Sequence, residues 1–185
     1  MAREMGELNR FLPEELRGEV VLRLPEADDV ESMLSYFESL GEASRGFFHP
    51  HPFDRENAEK ICADCPADAY RVVAECAGKI VGYAWFGPTK GSEYPSVGIG
   101  ISDAFQGKRL GGALMDCLSC EARRRGLPGL RLTVYKNNER GIRLYGSRGY
   151  RIVGEEKGQH VMEVLFHDRH SERSEESRDS SLRSE

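Results

Sequence analysis

Residues Val97 to Gly112 read VGIGISDAFQGKRLGG, and this run constrains the fold more than any other. It opens as a strand that contains Gly98 and Gly100. Glycine inside a strand marks a bulge or the close approach of another part of the chain. A polar turn and a glycine-rich loop follow. A helix then runs over Leu110–Arg125, with Leu110, Ala113, Leu114, Cys117, Leu118 and Ala122 spaced mostly by three and four, and Gly126 ends it. A loop of this kind presents free backbone N–H groups at the positive end of a helix, which suits a phosphate or pyrophosphate. Lys108 and Arg109 add positive charge there. A Walker loop needs Ser or Thr after its Lys, and Arg109 stands there instead. The dinucleotide fingerprint fails too, because Gly98 and Gly100 lie within the strand and Asp103 takes the final glycine position.

The rest of the chain supplies the sheet for this unit. Glu19–Leu24 reads as a strand, stopped by Pro25, and Asp28–Leu40 has helical spacing. Residues 41–53 (GEASRGFFHPHPF) read as a loop, and Asp54 caps a helix reaching about Ala63. Tyr70–Ala77 and Ile80–Phe86 form a hairpin turning at Gly78-Lys79. Pro95–Ser102 and Leu130–Tyr135 are strands, Asn138–Ser147 is a short helix, and Arg151–Glu156 with His160–Phe166 make a last hairpin. The order β-α-α-β-β-β-α-β-α-β-β predicts a mixed α/β sheet of about seven strands flanked by four helices.

Composition narrows the function classes. The chain has 185 residues, enough for one domain. Its formal net charge of -5 argues against a general nucleic-acid partner and mildly favours a cationic or neutral small one. No apolar run approaches membrane length, so no membrane partner is expected. The charged N-terminus is not a secretory signal. A cytoplasmic location with reduced thiols is therefore expected for the five cysteines. Residues 1–18 read as an arm, 19–166 as the domain, and 167–185 as a disordered polar tail with Leu182 its one apolar residue.

Two CxxC pairs, Cys62/Cys65 and Cys117/Cys120, would make a four-thiolate zinc site by count. The second pair lies on a helix, with Cys117 on its apolar stripe, and the pairs are far apart in sequence. They read as core or incidental thiols, and no metal is expected.

The loop Gln106-Gly107-Lys108-Arg109-Leu110-Gly111-Gly112 resembles the coenzyme A loop of the GNAT family of N-acetyltransferases, Gln/Arg-x-x-Gly-x-Gly/Ala. Gln106 and Gly111 match, and Arg109 stands where the family usually has Gly. Downstream, Asn138 to Tyr150 (NERGIRLYGSRGY) resembles the family's Asn-x-x-Ala-x-x-Leu-Tyr-x-x-x-Gly-Phe segment. Asn138, Leu144, Tyr145 and Gly149 match, with Gly141 for Ala and Tyr150 for Phe. The resemblance covers about Glu19–Phe166, and its first half matches by element order alone.

The resemblance implies a cleft for acetyl-CoA between Pro95–Ser102 and Leu130–Tyr135, two parallel strands that splay apart. It implies main-chain pairing of the pantetheine at Ile99, Gly100 and Ile101, and amides from Gly107 to Gly112 on the pyrophosphate. The Asn138 side chain would bond the cofactor arm, and an N–H near Ile101 would stabilise the oxyanion. Tyr145 would protonate the leaving thiolate. The family sometimes places a Glu base five residues before the Asn; here that residue is Thr133, which leaves Glu93, Glu75 and Asp103 as candidate bases, or water.

On the acceptor side, His49, His51 and Phe53 of the aromatic loop, with Tyr83 and Trp85, are candidate contacts, and core or edge packing is the competing reading for each. The expected reaction is direct acetyl transfer to a primary amine on a small molecule or peptide. The competing reading is a non-catalytic sensor of CoA or acyl-CoA. Relatives of this kind often dimerise through a sheet edge or final hairpin, so a homodimer is a further expectation.

Overall fold

The computed structural model describes residues 7–166. The expected polar tail lies outside them, as do residues 1–6 of the arm. Seven strands form one sheet: β1 (Val20–Arg23), β2 (Tyr70–Cys76), β3 (Lys79–Gly87), β4 (Ser96–Ile101), β5 (Gly129–Tyr135), β6 (Arg151–Glu156) and β7 (Gln159–Leu165). Their order is β1-β2-β3-β4-β5-β7-β6. Every neighbouring pair is antiparallel except β4 and β5.

Among the described residues five α-helices appear: α1 (Val30–Ser39), α2 (Glu42–Phe47), α3 (Arg55–Cys62), α4 (Leu110–Arg124) and α5 (Glu139–Gly146). The sequence reading expected four. The addition is α2, six residues inside the segment read as a loop. Its length is below what local propensity can sustain, so anchoring elsewhere fixes it. The first hairpin turns one residue earlier than expected, at Ala77-Gly78, where both residues take positive φ (49° and 75°).

Two cores flank the sheet. Leu110, Leu114, Leu118 and Ala122 of α4 pack with Leu22, Val72 and Phe86 on one face. Met33, Tyr36 and Phe37 of α1 and Ile61 of α3 cover Val73, Ile80 and Tyr83 on the other. Alternation in β2 and β3 delivers side chains to both layers. Asp54 caps α3 by accepting the Asn57 amide at 2.9 Å, and Asn138 caps α5 in the same way through the Gly141 amide at 2.9 Å. No helix among the described residues is long and apolar enough to cross a membrane.

The β4–β5 contact positions everything that follows. These parallel strands pair in register only at Ser96 and Arg131, beside the Arg131 amide on the Pro95 carbonyl at 3.0 Å. On its other edge β5 pairs with β7 along its whole length, from Gly129 to Tyr135. The sheet therefore opens into a V from residue 97 onward.

Candidate functional site

A cleft of about 580 Å³ lies in this V. Ile99, Gly100 and Ile101 of β4 form one side, and Asn138, Leu144 and Tyr145 form another. The loop Gln106–Gly112 closes one end, and Leu40, Ser44, Phe47 and Phe48 close over the top.

Glycine on β4 serves close packing. A Cβ at Gly100 would collide with the Tyr36 hydroxyl and sit 2.6 Å from the Phe48 ring, and one at Gly98 would collide with the Trp85 indole. The glycines let the α1 layer press onto the strand that borders the cleft.

Gly107 and Arg109 both take left-handed backbone, φ 81° and 62°. Arg109 is the N-cap residue of α4, and no side chain caps that helix. The Gly112 and Ala113 amides close on the Arg109 carbonyl at 3.1 and 3.3 Å, so the helix's own bonds begin there. The position where the resemblance expects Gly thus keeps the glycine geometry while carrying Arg, at a cost of roughly 1–2 kcal/mol. The Arg109 side chain turns away to an ion pair with Glu15. Lys108 does not line the cleft; its ammonium lies 4.7 Å from the centre of the Phe105 ring.

Gln106 ties the loop to its surroundings. Its Nε2 donates to the Ser44 hydroxyl (2.9 Å), the Ile101 carbonyl (3.1 Å) and Asp103 (3.1 Å). Its Oε1 accepts from Arg140 at 2.7 Å. Ser44 also donates to Asp103 at 2.5 Å, and this bond anchors α2. Arg140 Nη2 comes within 3.8 Å of the space above Gly107. Arg140 and Arg143 also line the cleft, and Arg143 pairs with Glu139 at 3.2 Å.

Tyr145 lines the cleft, and its ring centre stands 6.2 Å from that of Tyr150. Burial pushes its phenol up to about 12, so at neutral pH it is a proton donor.

The remaining sequence candidates lie elsewhere. Glu75, on β2, holds Arg23 at 2.7 Å, and Arg23 also grips Asp29 at 2.6 Å. That triad belongs to the sheet's far edge. Glu93 is exposed on the β3–β4 connection and does not line the cleft. Tyr83 is 3% exposed inside the α1 core. Trp85 packs against that core over Gly98. Phe53 stacks on Phe37 with ring centres 4.9 Å apart, and His51 turns edge-on to both rings. His49 is exposed and does not line the cleft either, but its Nε2 meets the Tyr135 hydroxyl of β5 at 3.1 Å.

Sequence reasoning missed Ser44, Phe47, Phe48, Arg140 and Arg143. The two phenylalanines were legible as an aromatic loop but not as a roof. The four CxxC cysteines line one second cavity, near the arm, but among the described residues no three metal-ligating groups converge.

A family model for the acetyltransferase (GNAT) family matches residues 33–150. No curated protein matches. Among solved structures, the GNAT domain of S. lividans PAT superposes with a TM-score of 0.72 at 19% identity, over 80% of this chain and 90% of that one. The ribosomal-protein-S5-alanine acetyltransferase from Vibrio fischeri gives 0.70 at 16%, over 81% and 94%. PaiA N-acetyltransferase from Thermoplasma acidophilum, in complex with coenzyme A, gives 0.67 at 12%, over 80% and 99%. These likenesses establish the fold, and the matching model spans well over half the chain: the protein belongs to the GNAT family of acetyltransferases.

Proposed function

We propose that the protein is an acetyl-CoA-dependent N-acetyltransferase that acts on a primary amine by direct transfer. The observation that carries this reading is the V between β4 and β5, paired only at Ser96 and Arg131, opening on a cleft that holds an uncapped helix start and the Tyr145 phenol together. The residues present fit the cofactor. The left-handed loop at Gly107–Arg109 turns backbone amides toward an anion, and Arg140 and Arg143 supply charge for phosphates. The edge of β4 facing the cleft offers main-chain groups that β5 does not use beyond Ser96.

When bound, the cofactor supplies a thioester whose acyl carbon bonds to the amine nitrogen as the C–S bond breaks. The chain's own groups hold and move protons around that exchange. Tyr145 delivers its proton to the departing sulfur, which its high pKa suits. The β4 amides border the acyl end and donate to developing negative charge. Phe47 and Phe48 exclude water from the top of the cleft.

The test is calorimetric titration of acetyl-CoA into the full chain, followed by release of free CoA thiol with a panel of amines. Micromolar binding with amine-dependent thiol release is expected. Binding without turnover on any amine would favour the sensor reading, which Arg109 in the loop and Thr133 on β5 keep open. A folded sample that binds nothing overturns both.

A further inference from the structure

We propose that His49, held against Tyr135, is the proton acceptor for the incoming amine. The inference rests on the acetyltransferase reading above and assigns it a base. The titratable side chains that line the cleft among the described residues are Arg109, Arg140, Arg143 and Tyr145. None of these takes a proton from an ammonium at neutral pH. Thr133, exposed on the neighbouring β5, does not titrate.

The His49 geometry fixes its tautomer. Nδ1 lies 3.0 Å from the Arg45 carbonyl. A carbonyl only accepts, so Nδ1 carries the hydrogen and Nε2 keeps its lone pair. Nε2 in turn lies 3.1 Å from the Tyr135 hydroxyl, which donates to it. A backbone group thus orients the imidazole so that its basic nitrogen is turned to the Tyr135 hydroxyl.

Placement follows from strand alternation. Leu130, Leu132 and Val134 enter the α4 core, so Thr133 and Tyr135 share the opposite face of β5. The Phe47 ring, which lines the cleft, is centred 6.1 Å from that of Tyr135. The phenol–imidazole pair therefore adjoins Phe47 at the border of the cleft. Neighbouring charges are engaged elsewhere. Arg45 donates to the Leu40 carbonyl at 2.8 Å and lies over the Phe53 ring, and Lys136 holds Glu155 at 2.6 Å.

The proton balance closes. A primary ammonium gives one proton to Nε2, directly or through the Tyr135 hydroxyl. The freed lone pair forms the N–C bond, and the C–S pair leaves on sulfur. Tyr145 protonates that sulfur and recovers the second proton from nitrogen. His49 then releases its proton to solvent.

The experiment compares wild type, His49→Gln and Tyr135→Phe in the full chain. Three readouts are followed: acetyl-CoA binding by calorimetry, thiol release with alkylamine acceptors across pH, and thiol release without acceptor, where water is the nucleophile and also needs a base. The expected result for His49→Gln is acetyl-CoA affinity within about twofold and a loss of about 10²-fold in both kinds of turnover at neutral pH. With alkylamines the loss shrinks as pH rises toward the amine's own pKa, where free base is abundant. Tyr135→Phe shows a smaller loss with the same pH trend. Wild-type rates and profile in His49→Gln overturn the assignment while leaving the enzyme reading intact. Absence of both kinds of turnover in wild type that binds acetyl-CoA overturns the enzyme reading, and this assignment with it.

Discussion

The Asn138 carboxamide accepts the Gly141 amide at 2.9 Å, and a Cβ at Gly141 would come within 2.8 Å of that same carboxamide. Asn138 is thus the cap of α5 and a wall of the cleft at once. A cap and a cofactor ligand are separable by substitution. Asn138→Ala removes both and should cost about 1 kcal/mol of stability. Asn138→Asp keeps the cap and should melt near wild type, yet it places an anion where an anionic cofactor would lie. Its acetyl-CoA affinity should fall at least tenfold by calorimetry. Unchanged affinity in the Asp variant would limit Asn138 to capping.

Arg109 gives a second prediction with opposite signs on its two sides. Arg109→Gly relieves a left-handed residue, which is worth up to about 1–2 kcal/mol, against the greater freedom glycine adds to the unfolded chain. It also removes the exposed pair with Glu15, a small term in solvent. Thermal melting should therefore change little or rise slightly. Acetyl-CoA binding should hold or strengthen, because the loop's backbone already has the glycine geometry. A large drop in affinity would mean that the guanidinium leaves Glu15 to meet a phosphate.

These two positions also show how far the sequence could be read. The strand–loop–helix unit was legible because glycine placement and the α4 stripe are local signals. So were Asn138 and Tyr145, which sit at set spacings in one short segment. The polar partners of the loop were not legible. Ser44 meets Gln106 across 62 positions, and Arg140 meets it across 34. Nothing local at either residue announces such a contact. The short helix α2 was hidden because its stability comes from the Ser44–Asp103 bond and not from its own six residues. Glu75 read as a candidate base for the opposite reason. A carboxylate on a strand looks available until the Arg23 that neutralises it, on a strand far back in sequence, is in place.

The packing over Gly100 makes a third prediction. Tyr36 is fully buried, and its hydroxyl has no hydrogen-bond partner among the described residues. That hydroxyl occupies the space a Cβ at Gly100 would need. Gly100→Ala should destabilise by about 1–3 kcal/mol through overpacking. Tyr36→Phe should be neutral or stabilising, since an unpaired buried hydroxyl is costly. The double variant should recover part of the Gly100→Ala loss, giving a coupling of at least about 0.5 kcal/mol in a denaturation cycle. Strict additivity would place the clash on Phe48 instead.

Tyr145 provides the pH argument. Burial raises its phenol from the ordinary value near 10 to about 12. In the folded chain the proton stays on through the neutral and mildly alkaline range. In the unfolded chain it leaves first. The contribution to stability is therefore whole below about pH 10 and is lost as pH rises from there through about 12. Tyr145→Phe should flatten that part of the alkaline denaturation curve. In catalysis, its kcat should fall by about 10²-fold or more while acetyl-CoA affinity stays within a few-fold, because the hydroxyl acts on the leaving sulfur and not on the bound cofactor. The wild-type rate should show no alkaline limb from this group below about pH 11. A limb near pH 9 that disappears in Tyr145→Phe would refute the raised pKa, and an unaffected kcat would remove Tyr145 from the reaction.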